Sequence, residues 1–153
     1  GVSVMLKKYK MGFDIWGLVV FLIIMIPNFI WSAVPAPNDI LRTESVTKVI
    51  DAIGSIAQVA MIFALCAFIN NERNKLSFTK NIITMICCIV IYDCSWVFYY
   101  LGVTNGLVIL GLTIPPCMAF LFFAIDRKNY ISVIPIVIFS VCHMVFGVAN
   151  FII

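Results

Sequence analysis

Five apolar stretches, each about long enough to cross a lipid bilayer, fill most of this 153-residue chain. A spanning helix needs roughly 20 apolar residues, and every backbone amide inside hydrocarbon must be hydrogen-bonded within its helix or within a closed barrel. The stretches lack the period-two alternation of barrel strands. The sequence therefore predicts an all-α polytopic membrane protein, a bundle of five transmembrane helices at Phe13–Ser32, Val49–Asn70, Ile82–Leu101, Leu107–Ile125 and Tyr130–Ile153.

The composition supports one membrane domain over residues 1–153. The chain is 63% hydrophobic and 11% charged, and a soluble domain of this size buries only about two-thirds of the surface of its unfolded chain. The polar segments at residues 33–48 and 71–81 are too short to hold a core of their own. The first span is longer than a cleavable signal and lacks a small-residue cleavage pattern, so we expect it to be retained as a helix.

The distribution of Lys and Arg predicts the orientation of the bundle. Lysines precede the first span, and further basic residues lie in the loops at residues 71–81 and 126–129. With the N-terminus inside the cell, eight of the ten basic residues are cytoplasmic and only Arg42 and Lys48 are outside. Cytoplasmic excess of Lys and Arg is the usual bias. We therefore expect an N-in, C-out protein of the cell (inner or plasma) membrane, and no nucleic-acid binding, because the basic residues sit in short loops.

Polar residues inside the spans form a layer at one depth. Five of them lie about five to ten residues from the outer end of their span, or roughly 8–15 Å at 1.5 Å per residue; they are Asn28, Gln58, Asp93, Thr113 and His143. Polar and charged groups at this depth are energetically costly and usually face the bundle interior. Helical spacing groups them into three stripes, which predict a polar cleft in the outer half of the bundle. The predicted ligand-binding residues are Asp93, His143, Gln58, Asn28, Ser140, Trp96, Thr113 and Asp51.

Asp93 and His143 are expected to form the centre of this site. Each is the only strongly ionisable group deep in its span, and a carboxylate beside an imidazole could bind a cation or pass a proton. Asp51 lies at the start of the second span, where capping of that helix is the alternative role. Pro27 and the Pro115-Pro116 pair interrupt the first and fourth spans in the same outer half, which either frees carbonyls to line a cavity or only kinks the helices.

Several other chemistries fit the sequence poorly. The chain has one histidine, so neither an H-E-x-x-H metalloprotease motif nor a haem-type histidine pair is present, and no Gly-rich phosphate loop occurs. A metal cluster of Asp93, Cys94 and His143 is the weaker alternative to a metal-free site. We predict no cofactor, and an enzyme is the weaker interpretation.

All six cysteines fall inside predicted spans, where Cys behaves mostly as a small hydrophobic residue, so we predict that they are unpaired.

Two resemblances bear on the family. The segment Ile26–Leu41, IPNFIWSAVPAPNDIL, resembles segments of small, uncharacterised multi-pass membrane proteins of Gram-positive bacteria, which implies a bacterial membrane protein and transfers no functional residue. In size and number of spans the chain is similar to the tryptophan-rich sensory/translocator proteins, which bind porphyrins and sterols in a five-helix bundle. That family is Trp-rich, with a W-x-P-P-like segment, and has the opposite orientation, whereas this chain has three Trp. The second resemblance is one of architecture.

Two functions remain open from the sequence. The first is binding or transport of a small molecule or an ion through the polar cleft. The second is a structural or accessory membrane subunit, in which the polar layer only joins helices, including across a homodimer. A water-connected cavity that touches Asp93 would favour the first function. Dry packing, with every polar group paired, would favour the second.

Overall fold

The computed structural model describes all residues, 1–153, and contains five helices that are long and apolar enough to cross a membrane. A short exposed helix, α1 (Val2–Leu6), precedes them. The long helices are α2 (Ile15–Ala33), α3 (Lys48–Ala67), α4 (Lys80–Tyr100), α5 (Gly106–Asp126) and α6 (Tyr130–Phe151). The predicted all-helical class and five spans are confirmed, and the chain is a multi-pass membrane protein.

Short polar side chains begin four of the long helices. Asp14, Thr79, Asn105 and Asn129 each accept a hydrogen bond from the backbone N–H two or three residues later. These are the residue types that satisfy the free N–H groups of a first helical turn. The caps fix where each of these helices begins after its polar connection.

A two-stranded sheet corrects the predicted end of the second span at Asn70. Helix α3 ends at Ala67, and the next residues form β2 (Phe68–Asn70), which pairs antiparallel with β1 (Tyr9–Met11). Hydropathy alone continues the helix because Phe68 and Ile69 are apolar. The strand pairing satisfies the backbone groups of both segments and attaches the N-terminal segment to the bundle.

Helix α5 is the central helix of the bundle. In its most apolar window 56% of the residues are buried, against 17–28% in the other four long helices. It packs chiefly on α4 and α6, while α3 packs on α6 and α2 on α3. Phe120 and Phe123 of α5 are almost completely buried, whereas the other helices present large apolar side chains on the outer surface of the bundle. All six cysteines are unpaired.

Contacts between loops define two ends of the bundle. At the basic end, which comprises residues 1–14, 68–80 and 126–129, the side chain of Asn70 donates to the carbonyl of Lys128. At the opposite end, which comprises residues 34–48, 101–105 and 150–153, Asn38 bonds to Thr104 and the backbone of Val46 bonds to Asn150. Successive long helices therefore run in alternating directions, as their short connections predict.

Gly17 allows α2 to approach the backbone of α3. A Cβ atom at this position would lie 2.4 Å from the carbonyl oxygen of Leu65, which cannot move without shifting α3. We expect Gly17→Ala to lower the free energy of unfolding by about 1–3 kcal/mol, as for other overpacked contacts. Unfolding in mixed micelles, followed by helical circular dichroism, measures this change. Gly106→Ala is the control because nothing lies within 4 Å of its Cβ position, and equal stability of the two variants would contradict the prediction.

Candidate functional site

All five long helices surround one cavity of about 290 Å³, which lies towards the opposite end of the bundle. Twelve of its 17 lining residues are hydrophobic. This central cavity is thus a largely apolar chamber with a few polar groups, rather than the predicted polar cleft. Its wall is formed by Ile24, Met25, Asn28, Trp31, Leu41, Gln58, Tyr92, Trp96, Ile109, Leu112, Thr113, Pro116, Phe120, Phe139, His143, Phe146 and Phe151.

One side of the central cavity joins α2 to α4 through polar atoms. The Asn28 side-chain amide donates to the Tyr92 hydroxyl at 2.6 Å, and Tyr92 is 3% exposed. The indole of Trp96 meets the ring of Tyr92 edge-on. Its Nε1–H is buried, lies close to the Tyr92 hydroxyl, and has no partner in hydrogen-bond geometry. This indole N–H is thus packed against the Tyr92 hydroxyl and is not exposed to the cavity.

His143 forms the facing part of the wall. Its imidazole is stacked between Phe139 and Phe146, with ring centroids 5.2 and 6.4 Å away, because residues spaced three and four apart share one face of α6. The ring also lies beside the backbone carbonyl of Leu112. The usual helical partner of that carbonyl would be the N–H of residue 116, which is proline and has none. One ring nitrogen can bond this carbonyl, and the other is left for an occupant of the cavity.

The remaining polar lining residues differ in their hydrogen-bonding capacity. The side-chain amide of Gln58 has only the sulfur of Met25, at 3.8 Å, as a partner. The hydroxyl of Thr113, by contrast, donates to the carbonyls of Ile109 and Leu110 in its own helix. Gln58 is therefore a free donor and acceptor. The hydroxyl hydrogen of Thr113 is already used within its helix, so Thr113 only adds to the wall of the cavity.

The loop between α2 and α3 covers the central cavity at the opposite end. Leu41, which follows Ile40 in a 3₁₀ turn, reaches the cavity wall, and its backbone N–H donates to the hydroxyl of Tyr99 at 3.1 Å. Tyr99 is fully buried and donates in turn to Asp39 at 2.6 Å. The position of Leu41 thus depends on a chain of hydrogen bonds that ends at one carboxylate.

Asp39 accepts hydrogen bonds on both carboxylate oxygens. Oδ1 accepts from Tyr99 and from the indole of Trp31 at 2.8 Å, and Oδ2 accepts from Arg42 and the backbone N–H of Ala36. The Arg42 guanidinium also lies over the Trp31 ring, 4.3 Å from its centroid. Burial raises the pKa of Asp39, but the bonds from Tyr99, Trp31, Arg42 and Ala36 outweigh it and hold that pKa below its ordinary value.

The structure places five of the eight predicted site residues on the wall of the central cavity and three elsewhere. Ser140 is half-buried and donates to the carbonyl of Ile136 in its own helix. Asp51 lies in the first turn of α3 and accepts a hydrogen bond from the hydroxyl of Thr47, which is itself the N-cap residue, so Asp51 does not cap the helix. The residues on the wall are Asn28, Gln58, Trp96, Thr113 and His143.

The position of Asp93 corrects the expectation that it shares a site with His143. Asp93 is exposed on the outside of the bundle and lines a second groove, between α2 and α4. Successive helical residues are about 100° apart, so the inward position of Tyr92 leaves Asp93 facing outward. Trp96 is the one residue that touches both the central cavity and the groove.

Tyr92, Trp31 and Tyr99 are not among the residues predicted from the sequence. The structure instead places Trp31 on the cavity wall and buries Tyr99 completely. One signal could have found them, since Tyr92, Trp96 and Tyr99 have i, i+4, i+7 spacing. Such a stripe marks one helix face, and here it is the buried face of α4.

Comparison of the chain with protein-family models, with curated proteins and with solved structures found no match. No functional residue is therefore carried over from a relative, and the two family resemblances of the sequence add nothing to the site. The chemistry of the central cavity has to be argued from its own residues.

Proposed function

We propose that this multi-pass membrane protein binds a small, mostly apolar molecule that carries a hydrogen-bonding group, and that the central cavity is the binding site. The observation that carries the proposal is an apolar chamber with unused hydrogen-bonding groups on facing walls. These groups are the amide of Gln58 and the imidazole of His143. Ligand sites of this kind are mostly apolar, with a few placed polar groups that fix orientation.

The size of the cavity limits the ligand. At about 290 Å³ it is roughly twice the ~150 Å³ apolar cavity that accommodates benzene in an engineered protein. A molecule of one or two rings fits this volume. No charged side chain lines the cavity, and an ion in apolar surroundings needs compensating charge, so the wall favours a neutral molecule over an ion.

The structural-subunit alternative receives less support from the cavity. In a bundle whose polar layer only joins helices, each polar group would pair with another helix. The bond from Asn28 to Tyr92 fits that description. Gln58, by contrast, contacts only a thioether. No polar group of another helix pairs with its amide, so this group does not join helices and is free to bond water or a ligand.

Ligand binding is tested with tryptophan fluorescence in lipid nanodiscs. Of the three tryptophans, Trp31 and Trp96 line the cavity and Trp16 does not, so a Trp16→Phe background reports the cavity alone. We expect saturable quenching by a monobrominated naphthol. Bromonaphthalene, which lacks the hydroxyl, should bind roughly two- to tenfold more weakly after correction for lipid partitioning, as expected for one hydrogen bond of ~0.5–1.5 kcal/mol.

Two substitutions locate the site. His143→Phe retains the aromatic stack and should abolish the preference for the naphthol, while bromonaphthalene still binds. Leu41→Trp should fill the cavity and abolish saturable quenching by either compound. Leu107→Trp is the matched control, since Leu107 is 79% exposed and lies outside the cavity. Quenching that follows lipid partitioning alone, in every variant, would refute the proposal.

The orientation proposed with this function is N-in and C-out across the plasma or inner membrane, with the basic end in the cytoplasm. It rests on the eight-to-two distribution of Lys and Arg between the two ends. We expect an impermeant maleimide to label a cysteine introduced by Val103→Cys in intact cells and to spare one introduced by Ser77→Cys. Permeabilised cells, in which both sites react, are the control. The reverse labelling pattern would overturn the orientation.

A further inference from the structure

The second groove, between α2 and α4, is not used by the proposed function. Its volume is about 530 Å³ and it opens on the outer surface of the bundle. On α2 it is lined by Ile23, Ile26 and Ile30, and on α4 by Val97 and the adjoining Leu101. These side chains are between 42% and 72% exposed. Their spacing places them as two ridges, one along each helix, with the groove between them.

Asp93 is the only charged residue of this groove. Its carboxyl group is exposed and forms no hydrogen bond or ion pair within the chain. It lies seven residues before Tyr100, or about 10 Å inside the end of α4 at 1.5 Å per residue. A carboxyl group at this depth usually pairs with a cation or a backbone carbonyl. Every Lys and Arg of this chain lies outside the five long helices or is the first residue of one, so none lies at this depth.

From this arrangement we infer that the groove docks a transmembrane helix of another protein, which carries one Lys or Arg opposite Asp93. Two apolar ridges separated by a groove are the surface on which a third helix packs. A lipid acyl chain would fill the groove but leave the carboxyl group without a partner. A second copy of this chain would bring another Asp93 and no cation at this depth. This inference does not depend on a ligand in the central cavity.

Association with a synthetic helix tests the inference. The probe is a polyleucine transmembrane peptide with one Lys about 10 Å from its outer end, and the comparison peptide has Leu at that position. Energy transfer between labelled peptide and labelled protein in lipid vesicles measures association. We expect the Lys peptide to bind the protein at least about tenfold more tightly than the Leu peptide. Asp93→Asn should reduce this ratio to about one, whereas Asp51→Asn, outside the groove, should leave it unchanged.

A second pair of variants separates loss of the groove from loss of the fold. Val97→Trp should fill the groove and weaken association of both peptides. Val90→Trp, on an exposed position of the same helix outside the groove, should not. The inference is overturned if wild-type protein does not distinguish the two peptides, or if Asp93→Asn leaves the ratio intact. It is also overturned if Asp93→Asn instead abolishes self-association of the chain, because a second copy would then be the occupant.

Discussion

Replacing Arg127 by Ala should lower the free energy of unfolding by about 3–5 kcal/mol, the usual effect of removing one partner from a buried ion pair. Arg127 Nη2 lies 3.0 and 3.1 Å from the two carboxylate oxygens of Asp14, and the side chains are only 5% and 6% exposed. The substitution leaves the Asp14 carboxylate buried at the start of α2. Arg73 lies 3.3 Å from the same carboxylate and still balances part of its charge in the variant. We therefore expect a loss near the lower end of this range.

Unfolding by sodium dodecyl sulfate in mixed micelles measures this loss. Lys75→Ala is the control, because Lys75 is an exposed cation at the same end and should change stability by less than about 0.5 kcal/mol. The double variant Asp14→Asn/Arg127→Ala should be more stable than Arg127→Ala alone, since Asn keeps the helix cap and removes the unpaired charge. A loss below about 1 kcal/mol in Arg127→Ala would contradict the argument.

The sequence was sufficient for the helices because a bilayer imposes a length and an apolar composition on each span. The predicted and observed helix ends agree within three residues. The strand at Phe68–Asn70 was not predictable in this way. Its apolar residues continue the preceding span in hydropathy, and its pairing with Tyr9–Met11 is a contact between segments about 60 residues apart. Hydropathy carries no information about such a partner.

The candidate site was predictable only in part, because the sequence gives the depth of a residue in its span but not the direction in which it faces. Depth along a helix follows from counting residues, and Asn28, Gln58 and His143 do lie at the level of one cavity. Rotation about the helix axis does not follow from depth. The rule that charged residues face the interior placed Asp93 inside, whereas the aromatic stripe through Tyr92 and Trp96 occupies the inner face of α4.

Asp39 was missed because it lies in a loop and has no periodic pattern around it. Its partners come from the end of α2, from the end of α4 and from its own loop. Only the folded chain brings them together. The residue that holds the cover of the cavity in place thus has a role that neither composition nor spacing indicates.

Asp39→Asn should lower the free energy of unfolding by about 2–4 kcal/mol and loosen the loop over the cavity. The amide retains one acceptor oxygen, and its NH₂ group faces donors: either Trp31 and Tyr99, or Arg42 and the Ala36 N–H. Hydrogen bonds to a charged group contribute about 1.5–3 kcal/mol each, without simple additivity. Glu44→Gln is the matched control, because Glu44 is in the same loop, is 81% exposed and pairs only with Lys48.

The pH dependence of stability isolates the Asp39 carboxylate. Its folded-state pKa lies below its ordinary value of 3.8, since the hydrogen bonds from Tyr99, Trp31 and Arg42 outweigh the effect of burial. A lowered pKa means that the contribution to stability is complete above the unfolded-state pKa and is lost as the pH falls through the folded-state pKa. The difference in unfolding free energy between wild type and Asp39→Asn should therefore stay constant above about pH 5 and shrink below 3.8. The other carboxylates titrate in both proteins and cancel in this difference, so a gap that stays constant at low pH would show that the ionised Asp39 does not hold the loop.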